Sequence, residues 1–187
     1  MKGFTLIELL VSVAIFVMMT ALLVARYGNF NQSVLLTNLA YDVALTIRTA
    51  QTFGLSIKNQ GASFQNVYGV ELSTDPAKNK SIVLFASTNN SYFDSGEQIN
   101  TYAIKRGAVI SSICAGTGPG AACGPLLDPV TIDVSFKRPD PDAIICIMGS
   151  GCPASDIQRY VEFTLTATDG TTRIVSVRKT GQISVGN

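Results

Sequence analysis

The sequence predicts an α+β fold in which one long N-terminal helix lies on antiparallel β-structure. Two observations carry the prediction. Up to Gly54, apolar residues first run without a break and then recur at three- and four-residue spacing; beyond Gly54 the pattern changes to short runs of period two separated by turn residues. A chain of 187 residues fits a single domain with an appendage.

The first element is the stretch Phe4 to Ala25, FTLIELLVSVAIFVMMTALLVA, 22 residues without Gly, Pro or a positive charge. As a helix it is ~33 Å long at ~1.5 Å per residue, enough to cross a hydrocarbon core of ~30 Å. Lys2 precedes it and Arg26 follows it, so the distribution of positive charge says little about orientation. Glu8 is the anomaly: an acidic side chain well inside a bilayer helix costs roughly 2.5 to 3.5 kcal/mol and implies a partner that neutralises it. A secretory signal peptide would have a shorter apolar region, no acid near its start and a small-x-small cleavage site. A plain single-span anchor gives no reason for Glu8.

The helix continues past the apolar run. Leu36, Ala40, Val43, Ile47 and Ala50 mark one face, with Asn38, Asp42, Thr46, Arg48, Thr49 and Gln51 on the others, so this half should lie on a sheet. Gly54 followed by Leu55 reads as a left-handed stop, giving one helix from about Phe4 to Phe53.

Nine strands are expected after it: 67–72, 81–86, 99–104, 109–113, 130–136, 143–147, 160–167, 173–177 and 183–185. They suit an antiparallel sheet or two small sheets. In Tyr160 to Ala167, Val161, Phe163, Leu165 and Ala167 form a dry face, and Tyr160, Glu162, Thr164 and Thr166 a wet one. Asp169-Gly170 then closes a hairpin onto Arg173 to Val177.

Composition narrows the function. Charged residues are 14% of the chain and the formal net charge is +1, which gives no bulk attraction to nucleic acid. There is no His, hence no side chain that titrates unperturbed near neutral pH, and an enzyme is not expected. The four cysteines, Cys114, Cys123, Cys146 and Cys152, form an even set in Gly-rich loop sequence; outside the cytoplasm they read as two disulfides, with three connectivities open. Their spacings, C-x8-C and C-x5-C, are not those of a zinc site.

The opening MKGFTLIELLVSVAIF resembles the processing site of type IV pilins and type II secretion pseudopilins: a short basic leader ending in Gly3, then Phe4, Thr5, Leu6, Ile7 and Glu8 heading an apolar helix. The resemblance implies that prepilin peptidase cuts after Gly3 and that the new amino terminus on Phe4 is methylated. It also implies that the Glu8 carboxylate pairs with the terminal amine of a neighbouring subunit on filament assembly. A helix followed by antiparallel strands is the pilin layout. Within that superfamily the chain is similar to GspH/FimT-like minor pseudopilins through Arg48 and Ala50 ahead of FGLSIK, then YGVEL, IVLFAS and RIVSVRKTGQISV; Ser87 stands where relatives often have Asp.

On this resemblance residues 1–3 are a leader, 4–25 a transmembrane and filament-core helix, 26–54 its amphipathic continuation, and 55–187 an extracytoplasmic β-rich domain. The implied role is a minor pseudopilin of a type II secretion-like filament in the bacterial cytoplasmic membrane. The implied partners are other pilin or pseudopilin subunits, prepilin peptidase, an inner-membrane assembly platform and the membrane. A minor type IV pilin for DNA uptake or adhesion is the alternative, and a tethered binding domain that does not polymerise is a third reading. In an extracytoplasmic domain the shortest-loop pairing, Cys114 with Cys123 and Cys146 with Cys152, is expected, each bond contributing about 2 to 3 kcal/mol.

Other candidate sites are weaker. The loop Ser87 to Gln98 offers Asn89, Asn90, Asp94 and Glu97 as oxygen ligands but lacks EF-hand spacing, and a polar turn is the preferred reading; no metal and no cofactor are expected. Arg173, Arg178, Lys179 and Arg159 could form a DNA-binding patch as in FimT-like pilins, yet supply few phosphate contacts, so nucleic acid is not an expected partner. Ala115 to Gly124 is Gly-rich but lacks the Gly-Lys-Ser/Thr ending of a phosphate loop. FKRPDPDA, Phe136 to Ala143, reads as an exposed turn.

Overall fold

The computed structural model describes residues 3–56, 66–88, 91–120, 123–125, 129–147, 152 and 158–186, with the backbone alone for 25–31 and 123–125. One helix, α1 (Leu6–Leu55), precedes ten strands: β1 (Val67–Ser73), β2 (Ser81–Ser87), β3 (Gln98–Ala103), β4 (Val109–Gly116), β5 (Cys123–Pro125), β6 (Thr131–Phe136), β7 (Ala143–Ile147), β8 (Tyr160–Thr166), β9 (Thr172–Arg178) and β10 (Ile183–Gly186). The nine expected strands are all present. The tenth, β5, carries no β-branched or aromatic residue and exists through its pairing with Cys114, Ala115 and Gly116.

The strands form two five-stranded sheets, ordered β3-β2-β1-β6-β7 and β10-β9-β8-β4-β5, with every pairing antiparallel. The second half of α1 packs on both. It buries Leu36, Ala40, Val43, Ile47 and Ala50 against Val70, Leu72, Ile132 and Val134 of one sheet and Phe163, Leu165, Val175 and Val177 of the other. Burying a side chain such as Ile47 or Leu72 contributes roughly 1.5 to 3 kcal/mol relative to exposure. The stretch Leu6–Val24 is long and apolar enough to cross a membrane, and none of it is buried.

The helix does not stop at Gly54. It runs to Leu55, and Ser56, in extended conformation, closes it with a backbone N–H to the Thr52 carbonyl. Gly54 stays helical and serves close approach: a Cβ there would lie 2.6 Å from the Phe136 carbonyl oxygen and 2.9 Å from the Phe136 Cβ. Gln51 fixes the same end, its Nε2 donating to the Gly181 carbonyl at 3.1 Å and the Pro141 carbonyl at 3.4 Å.

The Thr168-Asp169-Gly170 loop closes β8 onto β9, with Gly170 at φ +83° and its N–H donating to the Ala167 carbonyl at 3.0 Å. The Thr171 N–H donates to Asp169 Oδ1 at 2.9 Å and holds that carboxyl below its ordinary pKa. The alternation of β8 holds with one correction. Tyr160, expected on the wet face, is buried because the Arg178 guanidinium covers its ring at 5.4 Å.

In the other sheet β1 is buried on both faces. Segment 91–97 covers the face turned away from α1: the Phe93 ring lies 5.7 Å from that of Phe85, and Ser135 Oγ donates to the Ser91 carbonyl at 2.8 Å.

Candidate functional site

The site with the most specific chemistry is the start of α1. Thr5 is the extended N-cap; its Oγ1 accepts from the Glu8 N–H at 3.4 Å. Glu8 Oε2 in turn accepts from the Thr5 N–H at 3.4 Å and the Thr5 hydroxyl at 3.2 Å. This is a reciprocal capping box, which satisfies two of the donors a helix start leaves unpaired. Its Thr-x-x-Glu signature is legible in the local sequence. Glu8 thus has a local role besides the one its intramembrane cost suggests.

The geometry also leaves the carboxylate where a cation can reach it. Glu8 sits in the first turn, at the positive end of the helix dipole, and is exposed, as is Phe4 one residue before the cap. Cleavage after Gly3 would create an amine on Phe4. The carboxylate can therefore accept a charged donor from a second chain while keeping its bonds to Thr5.

Of the proposed basic patch, Arg159, Arg178 and Lys179 lie at one end of β9, where the Lys179 N–H donates to the Arg159 carbonyl at 2.8 Å, and Arg173 stands apart from them. Arg173 lies opposite Leu165 and so shares the inner face of its sheet. There its Nε donates to Thr37 Oγ1 and its Nη2 to Ser33 Oγ, each at 3.0 Å, tying β9 to α1. Arg178 lies opposite Tyr160 on the outer face. At about 3.3 Å per residue the two are ~17 Å apart along the strand and point to opposite sides. Lys179 and Arg159 are exposed near the Arg178 end.

In the loop 87–98, Asn89 and Asn90 lie outside the described residues. Glu97 Oε2 accepts from the Asp94 N–H at 3.1 Å, and the Glu97 N–H donates to the Asp94 carbonyl at 3.2 Å, closing a turn. Among the described residues no group of three or more His, Cys, Asp or Glu could hold a metal ion. The carboxylate that matters beneath this loop is Asp133, which sequence reasoning missed. It is fully buried, accepts from the Phe93 N–H at 2.8 Å through Oδ2, and its Oδ1 has no partner among the described residues. Burial raises its pKa from 3.8 to about 7, against the lowering effect of that hydrogen bond.

Cys146 and Cys152 are disulfide-bonded, with Cα atoms 5.4 Å apart. Cys114 is also disulfide-bonded; the expected bond to Cys123 involves a side chain outside those described. The Gly-rich stretch 115–124 includes the turn between β4 and β5, of which residues 121 and 122 lie outside the described set.

Comparison with known families matches residues 1–24 to the prokaryotic N-terminal methylation motif. No curated protein and no solved structure matches the chain.

Proposed function

We propose that this type IV pilin-like chain is a minor pseudopilin, a structural subunit of a type II secretion-like envelope filament and not an enzyme. The observation that carries the reading is the methylation motif at residues 1–24 heading a helix whose apolar half, Leu6–Val24, is wholly unburied in the single chain. Such a surface needs a membrane before assembly and other helices after it. On this reading residues 1–3 are removed by prepilin peptidase, Phe4 is N-methylated, and Glu8 meets the amine of an adjacent subunit. Residues 4–25 then lie in the membrane or filament core, and residues beyond 54 form the extracytoplasmic domain, where a Cys146–Cys152 disulfide suits an oxidising compartment. The DNA-uptake alternative is weakened by the use of Arg173 as a structural clamp.

The test is crosslinking in native membranes with the crosslinked partners identified. Other proteins bearing the same N-terminal motif are the expected partners. Recovery of the chain only as an uncrosslinked monomer, in membranes where the filament is assembled, would contradict the proposal.

A further inference from the structure

We infer that the open edge of β3 and the groove beside it accept an extended, acid-bearing segment of a partner protein as an added strand. The inference goes beyond the filament reading and does not depend on it, because it rests on the sheet edge, the groove beside it and the charges at its end.

β3 ends its sheet. Its sequence, QINTYA, has no charge and no Pro, and five of its six residues are exposed. Edge strands are normally blunted by Lys, Pro or an inward charge, because their unpaired N–H and C=O groups template pairing with another chain. Lys, Pro and an inward charge are all absent from β3; the devices it does carry are a register shift opposite Leu84 and Phe85 and the Asn100 Oδ1, which accepts from the Thr101 N–H at 2.9 Å and which an added strand would have to displace.

The side chains next to the edge are equally unfinished. Tyr102 pairs with Ile82, which is buried on the face turned towards α1, so Tyr102 shares that face; yet 39% of it remains exposed. A groove of about 740 Å³ separates this face from α1, walled by Leu35, Leu39 and Leu45 of the helix and by Ile82 and Tyr102 of the sheet. An added strand would continue the sheet beyond Tyr102, and every second side chain would then enter the groove. Apolar residues at those positions would find Leu39 and Tyr102.

Charge decides the rest of the occupant's chemistry. Lys105 and Arg106 follow β3 after the buried Ile104, line the groove and are exposed; among the described residues the single ion pair is Lys78–Glu71, so both cations stand without one. Arg106 is held at φ +63°, a left-handed conformation that non-glycine residues rarely adopt. Asp42 on the helix wall is the groove's one carboxylate. The matching partner is an extended segment with alternate apolar residues and an acid at the Lys105–Arg106 end.

A library of random ten-residue peptides, selected on the detergent-solubilised full chain, tests this. Enriched peptides are expected to alternate apolar and polar residues and to carry Asp or Glu. They should lose at least fivefold in affinity for a Lys105→Glu, Arg106→Glu double variant, and slow amide exchange across residues 98–103 at least tenfold. Enrichment of helix-periodic or basic peptides overturns the inference, as does unchanged affinity for the double variant. Self-association of the chain that is lost in Thr101→Pro would assign the edge to a second copy and likewise overturn it. Failure of the filament reading would leave these results unchanged.

Discussion

Asp133 lies directly beneath Phe93: the Phe93 N–H donates to Oδ2 at 2.8 Å, while Oδ1, buried beside it, has no partner among the described residues. A carboxyl so placed prefers to be neutral, and its pKa rises to about 7. Glu71 and Asp94 add to the rise and Lys78 opposes it. A group whose folded pKa exceeds its unfolded value contributes stability that is full below the unfolded value and is lost as pH rises through the folded one. Stability should therefore fall between pH 4 and pH 7 by an amount on the order of a few kcal/mol. Asp133→Asn, which keeps an acceptor for Phe93, should flatten the dependence. Denaturant midpoints of the solubilised chain across that range check it; a wild-type curve as flat as the variant's would contradict the assignment.

Arg173 should behave as a clamp. Arg173→Ala removes both hydroxyl contacts to α1 and should destabilise the chain by about 1.5 to 3 kcal/mol, the range for hydrogen bonds to a charged group. Lys cannot reproduce a two-pronged donor and should recover little of that. DNA affinity at physiological salt should be no tighter than nonspecific and unaffected by either change. Fluorescence anisotropy showing tight binding abolished by Arg173→Ala would restore the nucleic-acid reading.

Gly54→Ala should destabilise despite improving helix propensity. Alanine gains about 1 kcal/mol in a helix interior, but the new Cβ would meet the backbone of Phe136 at 2.6 Å, which no rotamer change relieves. Overpacking of this kind costs ~1 to 3 kcal/mol. A variant with a higher thermal midpoint than wild type would show that β6 can retreat from the helix.

Processing makes a fourth prediction. The mature chain should begin at N-methylated Phe4, and loss of Lys2 lowers the 14 basic side chains to 13, equal to the 13 acidic ones. Mass spectrometry of membrane-extracted protein reads the terminus directly. An intact Met1 in cells that contain the peptidase would be the contrary result.

Much of the fold was legible because it is written in local periodicity. The set Leu36, Ala40, Val43, Ile47 and Ala50 is the buried face of α1, and the alternation of Val161, Phe163 and Leu165 is the inner face of β8. What escaped depends on partners distant in sequence. In TIDVSF, Asp133 occupies the position of a wet-face residue, and its burial is decided by Phe93, 40 residues earlier. Gly54 read as a stop because its neighbour Phe136 is not visible from the local sequence. Arg173 and Arg178 looked like one patch because strand parity, which sends them to opposite faces, counts only once β9 is fixed in its sheet. The cap was a different kind of miss: Thr5-x-x-Glu8 is local, but the intramembrane cost of Glu8 drew attention to an intermolecular partner alone.

That double role makes one comparison the most direct test of the central claim, that Glu8 joins this chain to its neighbours in a filament. Glu8→Ala removes both the carboxylate and half of the capping box; Thr5→Ala removes the cap and keeps the carboxylate, at a cost of about 0.5 to 2 kcal/mol in the first turn. Membrane content and recovery of the assembled complex should be measured for both variants, with cleavage at Gly3 verified in the same samples. The account predicts normal membrane content for both, assembly lost in Glu8→Ala and largely kept in Thr5→Ala. Wild-type assembly by Glu8→Ala, or equal loss in the two variants, would contradict it.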